Sequence, residues 1–212
     1  MSSVRATTPT CSHVADLLAS DFLVRAYDVA EYSHEGQFRT TPTGKIPYIL
    51  HPLAVFNHLR AWGATDERLL AAALLHDTIE DAPERVREYL LTNFTEDIPL
   101  YTTRTPAGAL VCLGRVFGPV VERTVRGLTN DPDVPYLDHV RDAIADPFVL
   151  AVKLADFRDN ALSLKRDHPR YEKLRAKYEP LAPVLAGALE ASAVARALIP
   201  EHRLLLRALR EF

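Results

Sequence analysis

The chain has 212 residues, 48% of them hydrophobic, and a formal net charge of −3. That suffices for one well-buried domain, while the slight acidity and lack of a long basic run argue against a nucleic-acid surface and leave room only for a local basic pocket around one phosphate-rich ligand. No apolar run reaches the roughly 18 residues a membrane span needs, and two distant cysteines, Cys11 and Cys112, fit a reducing cytoplasm rather than a disulfide scaffold.

Residues 1–11, rich in Ser and Thr, are expected to form a flexible tail ahead of a single domain over 12–212. Helical periodicity dominates and predicts helices near 12–34, 51–62, 66–80, 83–93, 117–127, 135–145, 147–164, 169–188 and 190–210. In the first of these, Leu18, Phe22, Tyr27 and Val29 are expected to be mostly core. His34 closes it, in a setting that suits a capping or internally satisfied histidine. Residues 39–47 (Arg-Thr-Thr-Pro-Thr-Gly-Lys-Ile-Pro) read as a loop, and 95–114 as a second irregular region long enough to be a lid or mobile segment. Strand signals are weak, so the predicted fold class is all-α. The last helices are expected to cover the domain, although the Leu-rich 191–212 stretch could pair with a second subunit to make a homodimer.

Four residues in three places stand out: His51, the pair His76-Asp77, and Asp156. Two imidazoles and two carboxylates form a mixed nitrogen–oxygen set that suits Mn, Fe or Zn with open coordination positions, unlike a closed structural zinc site. His76-Asp77 follows Leu69–Leu75, which is apolar on every side and therefore predicted to be buried. Burying unpaired carboxylates costs several kcal/mol, and a metal ion is one of the few partners that offsets it. Glu80 and Asp81 lie one helical turn beyond His76 and Asp77, just outside the ligand atoms. Asp156 ends another apolar run, which starts at Pro147 behind Asp146 as cap. Along it Lys153, Asp156, Asn160 and Ser163 share one face, the wall of a polar cavity if a metal motif lies opposite. A lone His-Asp pair most often faces water; three concordant settings favour the metal.

These segments resemble a known family. His34-Glu35-Gly36-Gln37-Phe38-Arg39, Pro47-Tyr48-Ile49-Leu50-His51-Pro52-Leu53-Ala54-Val55, Ala72-Ala73-Leu74-Leu75-His76-Asp77-Thr78-Ile79-Glu80-Asp81, Phe117-Gly118, Gly127-Leu128-Thr129, and Val152-Lys153-Leu154-Ala155-Asp156 with Asn160 occur in the order seen in HD-domain alarmone hydrolases. These comprise the hydrolase half of RelA/SpoT homologues and the stand-alone small alarmone hydrolases. The resemblance implies a compact all-α HD fold with a central site for one divalent ion, usually Mn²⁺, on His51, His76, Asp77 and Asp156. It implies that Glu80 and Asp81 handle water and protons. Asn160 would contact the substrate or the water, Ser163 would contact the nucleotide, and Arg39 would lie against its base; separately, Lys153 and Arg39 are expected to supply charge for phosphates. The implied reaction removes the 3′-pyrophosphate of (p)ppGpp to give GDP or GTP and pyrophosphate.

Three features depart from the family. Thr40 and Phe157 stand where Lys and Arg or Lys are usual, removing positive charge where a pentaphosphate would be held, with Lys45 or Arg158 as compensating candidates. The stretch between Asp81 and Phe117 is also longer than usual. Nothing after residue 165 offers the sheet or motifs of a synthetase half. Two other readings follow: an HD phosphohydrolase for another nucleotide, such as an adenine alarmone or a nucleoside monophosphate, and a non-catalytic nucleotide-sensing or partner-binding HD protein.

Overall fold

The computed structural model describes residues 12–94 and 103–212. The tail expected over 1–11 and residues 95–102 of the irregular region lie outside the described residues. Helices α1 (Ser12–Leu18) and α2 (Asp21–His34) replace the single helix predicted over 12–34. The break falls at Ser20, whose backbone turns extended and whose hydroxyl accepts from the Leu23 amide at 3.3 Å, a helix cap that starts α2 afresh. Leu18 is 68% exposed, not core, because α1 turns the neighbouring Leu17 inward instead; Val29 is buried as expected.

Residues 39–47, expected as a loop, instead belong to an antiparallel hairpin, β1 (Phe38–Thr41) and β2 (Gly44–Pro47), with Arg39 opposite Ile46 and Thr40 opposite Lys45. The Thr, Pro and Gly residues that read as loop make its turn, where the Thr41 hydroxyl donates to the Gly44 carbonyl at 2.9 Å. Among the described residues this hairpin is the one sheet, and the fold is otherwise helical.

Helix α3 (Leu50–Ala61) leads to α4 (Glu67–Leu75), the centre of the molecule. The Asp66 carboxylate caps α4 by accepting from the Arg68 amide at 2.9 Å. Every residue from Leu69 to Leu75 is buried, because α4 is packed by α2 and α3 and by two later helices, α7 (Pro106–Leu128) and α9 (Pro147–Phe157). Each such leucine contributes about 1.5–3 kcal/mol of apolar burial. The predicted helix over 66–80 ends at Leu75. There the His76 Nδ1–H donates to the Ala73 carbonyl (2.8 Å) and the Thr78 hydroxyl to the Leu75 carbonyl (2.7 Å). These side chains take up carbonyls that a continuous helix would use. A short turn of helix, α5 (Thr78–Asp81), then carries the two acids, and α6 (Pro83–Asn93) follows.

Helix α7 begins within the stretch expected to be irregular. Thr105 caps it, accepting from the Gly108 amide at 3.2 Å, and Pro106 occupies its first turn. A side chain at Gly108 would stand 1.9 Å from the Thr103 carbonyl oxygen, so only glycine allows this start. The helix kinks at Gly118 (φ 85°), which precedes Pro119. After α8 (Tyr136–Ala143), helix α9 is buried from Val149 to Phe157 and widens into a π turn, Arg158–Leu162, within the single helix predicted over 147–164. The C-terminal segment forms α10 (Tyr171–Tyr178), α11 (Leu181–Ala191), α12 (Ala193–Leu198) and α13 (Arg203–Glu211). These break the helices predicted over 169–188 and 190–210, at Pro180, at the cap residue Ser192 and around Pro200. Helices α11 and α12 pack on α9, Leu205 and Leu209 of α13 are buried within the chain, and the Glu201 amide donates to the Trp62 carbonyl at 2.9 Å. Among the described residues no helix is long and apolar enough to cross a membrane.

Candidate active site

Three buried elements bring the distant motifs together. His51 lies in the first turn of α3, His76 and Asp77 link the end of α4 to α5, and Asp156 lies near the end of α9. His76 Nε2 is 3.3 Å from His51 Nε2 and 3.1 Å from Asp77 Oδ2. His51 Nε2 is 3.5 Å from Asp77 Oδ2 and 3.3 Å from Asp156 Oδ1. His51, His76 and Asp77 form the tight trio, each offering an atom within 4.8 Å of the others; Asp156 joins it through His51. Donor atoms about 3–3.5 Å apart have the spacing adopted by ligands about 2.1 Å from one ion. The tautomers also fit a metal. His76 commits its Nδ1–H to Ala73 and His51 commits its Nδ1–H to Asp159 Oδ2 at 2.7 Å, which leaves both Nε2 atoms directed at the cluster.

The electrostatics follow from crowding. Burial opposes charge on Asp77, but the His76 and His51 imidazoles outweigh it and hold its carboxyl well below the usual range. Asp156 is held low in the same way by Lys153, whose Nζ is 3.0 Å from Oδ2, and by His51. Burial pulls the His51 pKa down, yet its bonds to Asp156 and Asp159 push it up to about 9. A metal needs the deprotonated Nε2, so it must displace a proton wherever the pH lies below that value. Metal affinity is therefore expected to rise with pH up to about 9, by about tenfold per unit for one displaced proton. Calorimetry at several pH values, in buffers of different ionisation enthalpy, checks this; flat affinity with no proton release contradicts it.

A cavity of about 1090 Å³ opens over the cluster. It is lined by Arg39, Glu80, Asp81, Lys153, Asn160 and Ser163, so the structure brings all of these candidates to one space. Glu80 accepts from the Asn130 amide (3.0 Å) and side-chain Nδ2 (2.8 Å). The Asp81 carboxyl is pushed up to about 6, by burial first and then by the charges of Asp77 and Glu80. The Arg39 guanidinium donates to Asp159 at 2.7 Å and to Asn160. Asn160 also bonds Asp156, and the Ser163 hydroxyl donates to the Arg158 carbonyl at 3.0 Å. His34, expected to be a capping or internally satisfied histidine, bonds Gln37 through Nδ1 at 2.9 Å and packs on Tyr48, but its Nε2 is buried with no hydrogen-bond partner among the described residues.

One expectation about charge is corrected. Phe157 does not stand where phosphates would be held: it is buried, with its ring against Tyr178 and Phe212. Lys45 and Arg158 do not line the cavity either; Lys165, Arg170 and Lys177 do. Sequence reasoning also missed Asp159, which bridges His51 to Arg39, and Tyr48, whose hydroxyl donates to Asp77 Oδ2 at 2.6 Å. Asp159 could have been found, since it lies three residues past Asp156 on the same helical face. Lys177 carried no local signal.

A predominantly helical domain that gathers a His-Asp pair, a second histidine and a distant aspartate around one point has the architecture of an HD-domain protein. No family model matches the chain. Over 153 residues it is 33% identical to the guanosine-3′,5′-bis(diphosphate) 3′-pyrophosphohydrolase MESH1 of Mus musculus, covering 69% of this chain and 72% of that protein. The Homo sapiens MESH1 is 31% identical over 174 residues, covering 78% and 83%. The bifunctional (p)ppGpp synthase/hydrolase RelA of Mycobacterium tuberculosis is 32% identical over 164 residues, covering 76% of this chain and only 20% of its own length. The solved structure of a metazoan SpoT orthologue that hydrolyses ppGpp aligns with a TM-score of 0.57 at 22% identity, over 89% of this chain and 95% of that one, and shares the fold. The chain belongs to the MESH1-type family of HD-domain ppGpp hydrolases.

Proposed function

We propose that the protein removes the 3′-pyrophosphate of (p)ppGpp, giving GDP or GTP and pyrophosphate. The observation that carries this reading is the convergence of His51, His76, Asp77 and Asp156 beneath a cavity large enough for a nucleotide, with Glu80 and Asp81 on its wall, in a chain of this family. The four residues would hold one divalent ion, and their mixed donors suit Mn²⁺. When bound, that ion supplies Lewis-acid polarisation of the phosphoryl group and of water. Glu80, fixed by Asn130, takes a proton from the attacking water, and Asp81 returns one to the departing 3′-oxygen. Water oxygen adds to the phosphorus next to the ribose, the bond from that phosphorus to the 3′-oxygen breaks, and pyrophosphate leaves. Arg39 lies against the base, Asn160 and Ser163 contact the nucleotide, and Lys153 balances charge beside Asp156. Asp159 orients His51 and Arg39 together. A nucleotide substrate fits work in the cytoplasm.

The test is incubation with Mn²⁺ and a panel of ppGpp, pppGpp, ppApp and nucleoside monophosphates, followed by chromatography. GDP and pyrophosphate from ppGpp support the proposal. Turnover of ppApp or a monophosphate alone would assign the same chemistry to another nucleotide, and binding without turnover would make the protein a sensor.

Thr40 lines the cavity, and the His168 Nε2–H donates to its carbonyl at 3.2 Å. Lys165 and Arg170 stand on the same wall system and already supply charge there. Thr40→Lys is therefore expected to lower KM for ppGpp by a modest factor, about 3- to 10-fold, with kcat unchanged if the new contact is uniform. Steady-state kinetics checks this; an unchanged KM would remove Thr40 from the phosphate path.

A further inference from the structure

The cavity wall carries an aromatic and lysine cluster that the roles assigned above do not account for. Tyr136, at the start of α8, stands between two lysines. Lys153 Nζ lies 5.6 Å from its ring centre and Lys177 Nζ 4.5 Å from it. Lys177 also lies 5.3 Å from the ring of Tyr178, so two aromatic faces hold its ammonium. All four residues line the cavity. The two lysines differ in what they have left to give. Lys153 is buried and engaged with Asp156 at 3.0 Å. Lys177 forms no ion pair among the described residues. It reaches into the cavity from α10, outside every segment that carries the family resemblance.

The charges that reach it are those of Lys153 and of the acids Asp156, Glu80 and Asp77, all of which line the same cavity. A ligand that extends past the cluster toward Tyr136 and carries negative charge there would meet Lys177, which among the described residues is the cation nearer that ring and has no carboxylate partner. Partial burial and the neighbouring Lys153 lower the Lys177 pKa against the opposing pull of Asp156, Glu80 and Asp77, and the residue keeps an exposed surface that an anion can approach.

We infer that Lys177 is a specificity-determining residue that binds the terminal phosphate of the 3′-diphosphate, with Tyr136 and Tyr178 holding it in place. The inference rests on the proposed reaction. There the phosphorus next to the ribose must sit at the cluster, which leaves the terminal phosphate to project beyond it. Lys177 would thereby distinguish a 3′-diphosphate from a 3′-monophosphate. It is not a group that touches the reacting atoms.

The experiment compares wild type, Lys177→Met and Lys177→Arg in two measurements. The first is kcat/KM for ppGpp against guanosine 5′-diphosphate 3′-monophosphate. The second is calorimetric binding of inorganic pyrophosphate against inorganic phosphate, which needs no turnover. Lys177→Met should lower kcat/KM for ppGpp by about tenfold to a hundredfold, with little change for the 3′-monophosphate, and should weaken pyrophosphate binding by a similar factor but not phosphate binding. Lys177→Arg should restore most of both, which a merely structural lysine exposed on a helix would not require. Equal losses on both nucleotides, or pyrophosphate binding unchanged in Lys177→Met, overturn the inference. If wild type fails to hydrolyse ppGpp, the proposed reaction falls, yet selective loss of pyrophosphate binding would still assign Lys177 to a diphosphate.

Discussion

Replacing Asp77 by alanine is expected to empty the metal site and stop hydrolysis while the helices stay intact. Asp77 Oδ2 is the atom nearest to both imidazoles, at 3.1 Å from His76 Nε2 and 3.5 Å from His51 Nε2, and it accepts the Tyr48 hydroxyl. Its loss leaves two histidines facing each other with Asp156 touching only one of them, and leaves Tyr48 without that acceptor. Loss of an outer-shell partner alone typically costs 10–100-fold in affinity, so loss of a ligand is expected to exceed about a hundredfold. The fold should survive because α4 is fixed by Leu69–Leu75, not by Asp77. Elemental analysis with circular dichroism reads both halves of this expectation. A full metal complement in a folded Asp77→Ala variant would show that the ion, if any, sits elsewhere.

Glu80→Gln should keep the metal and lose about a hundredfold or more in kcat, the usual scale for a positioned proton-transfer group. Glutamine keeps the shape and can still accept from Asn130, so the wall of the cavity is preserved while the base is removed. A kcat within a few-fold of wild type, measured at saturating ppGpp, would make Glu80 a bystander and move the role to Asp81.

The helices that carry the site were legible because their burial is written in their composition. Leu69–Leu75 and Val149–Phe157 have no polar face wide enough for solvent, and both are buried. His76-Asp77 follow the first run and Asp156 lies near the end of the second, and the packing of both against α3 brings them to His51. What escaped reading was set by other forces. The hairpin has strands of four residues whose Thr, Pro and Gly residues give no alternation to detect. The end of α4 depends on side chains competing for the Ala73 and Leu75 carbonyls. Phe157 was misjudged because adjacent residues on a helix diverge by about 100°: Asp156 faces the cavity while Phe157 faces Tyr178 and Phe212. Lys177 reaches the cavity only because α10 docks there, a tertiary fact with no local trace.

An isolated two-stranded hairpin is marginal in water, and here it is moored by Arg39 to Asp159, by His168 to the Thr40 carbonyl and, just past β2, by Tyr48 to Asp77. Two of those moorings end on carboxylates that bond or touch His51 and His76, the proposed metal ligands. The amides of Thr40 and Lys45 should therefore exchange with deuterium faster after chelation than in Mn²⁺, while those of α4 stay protected in both states. Ion occupancy would then be communicated to the lip of the cavity through two carboxylates, and the part of the enzyme that meets nucleotide first would stiffen only once the chemistry beneath it is ready. Equal exchange in both states would show the hairpin to be held without the ion.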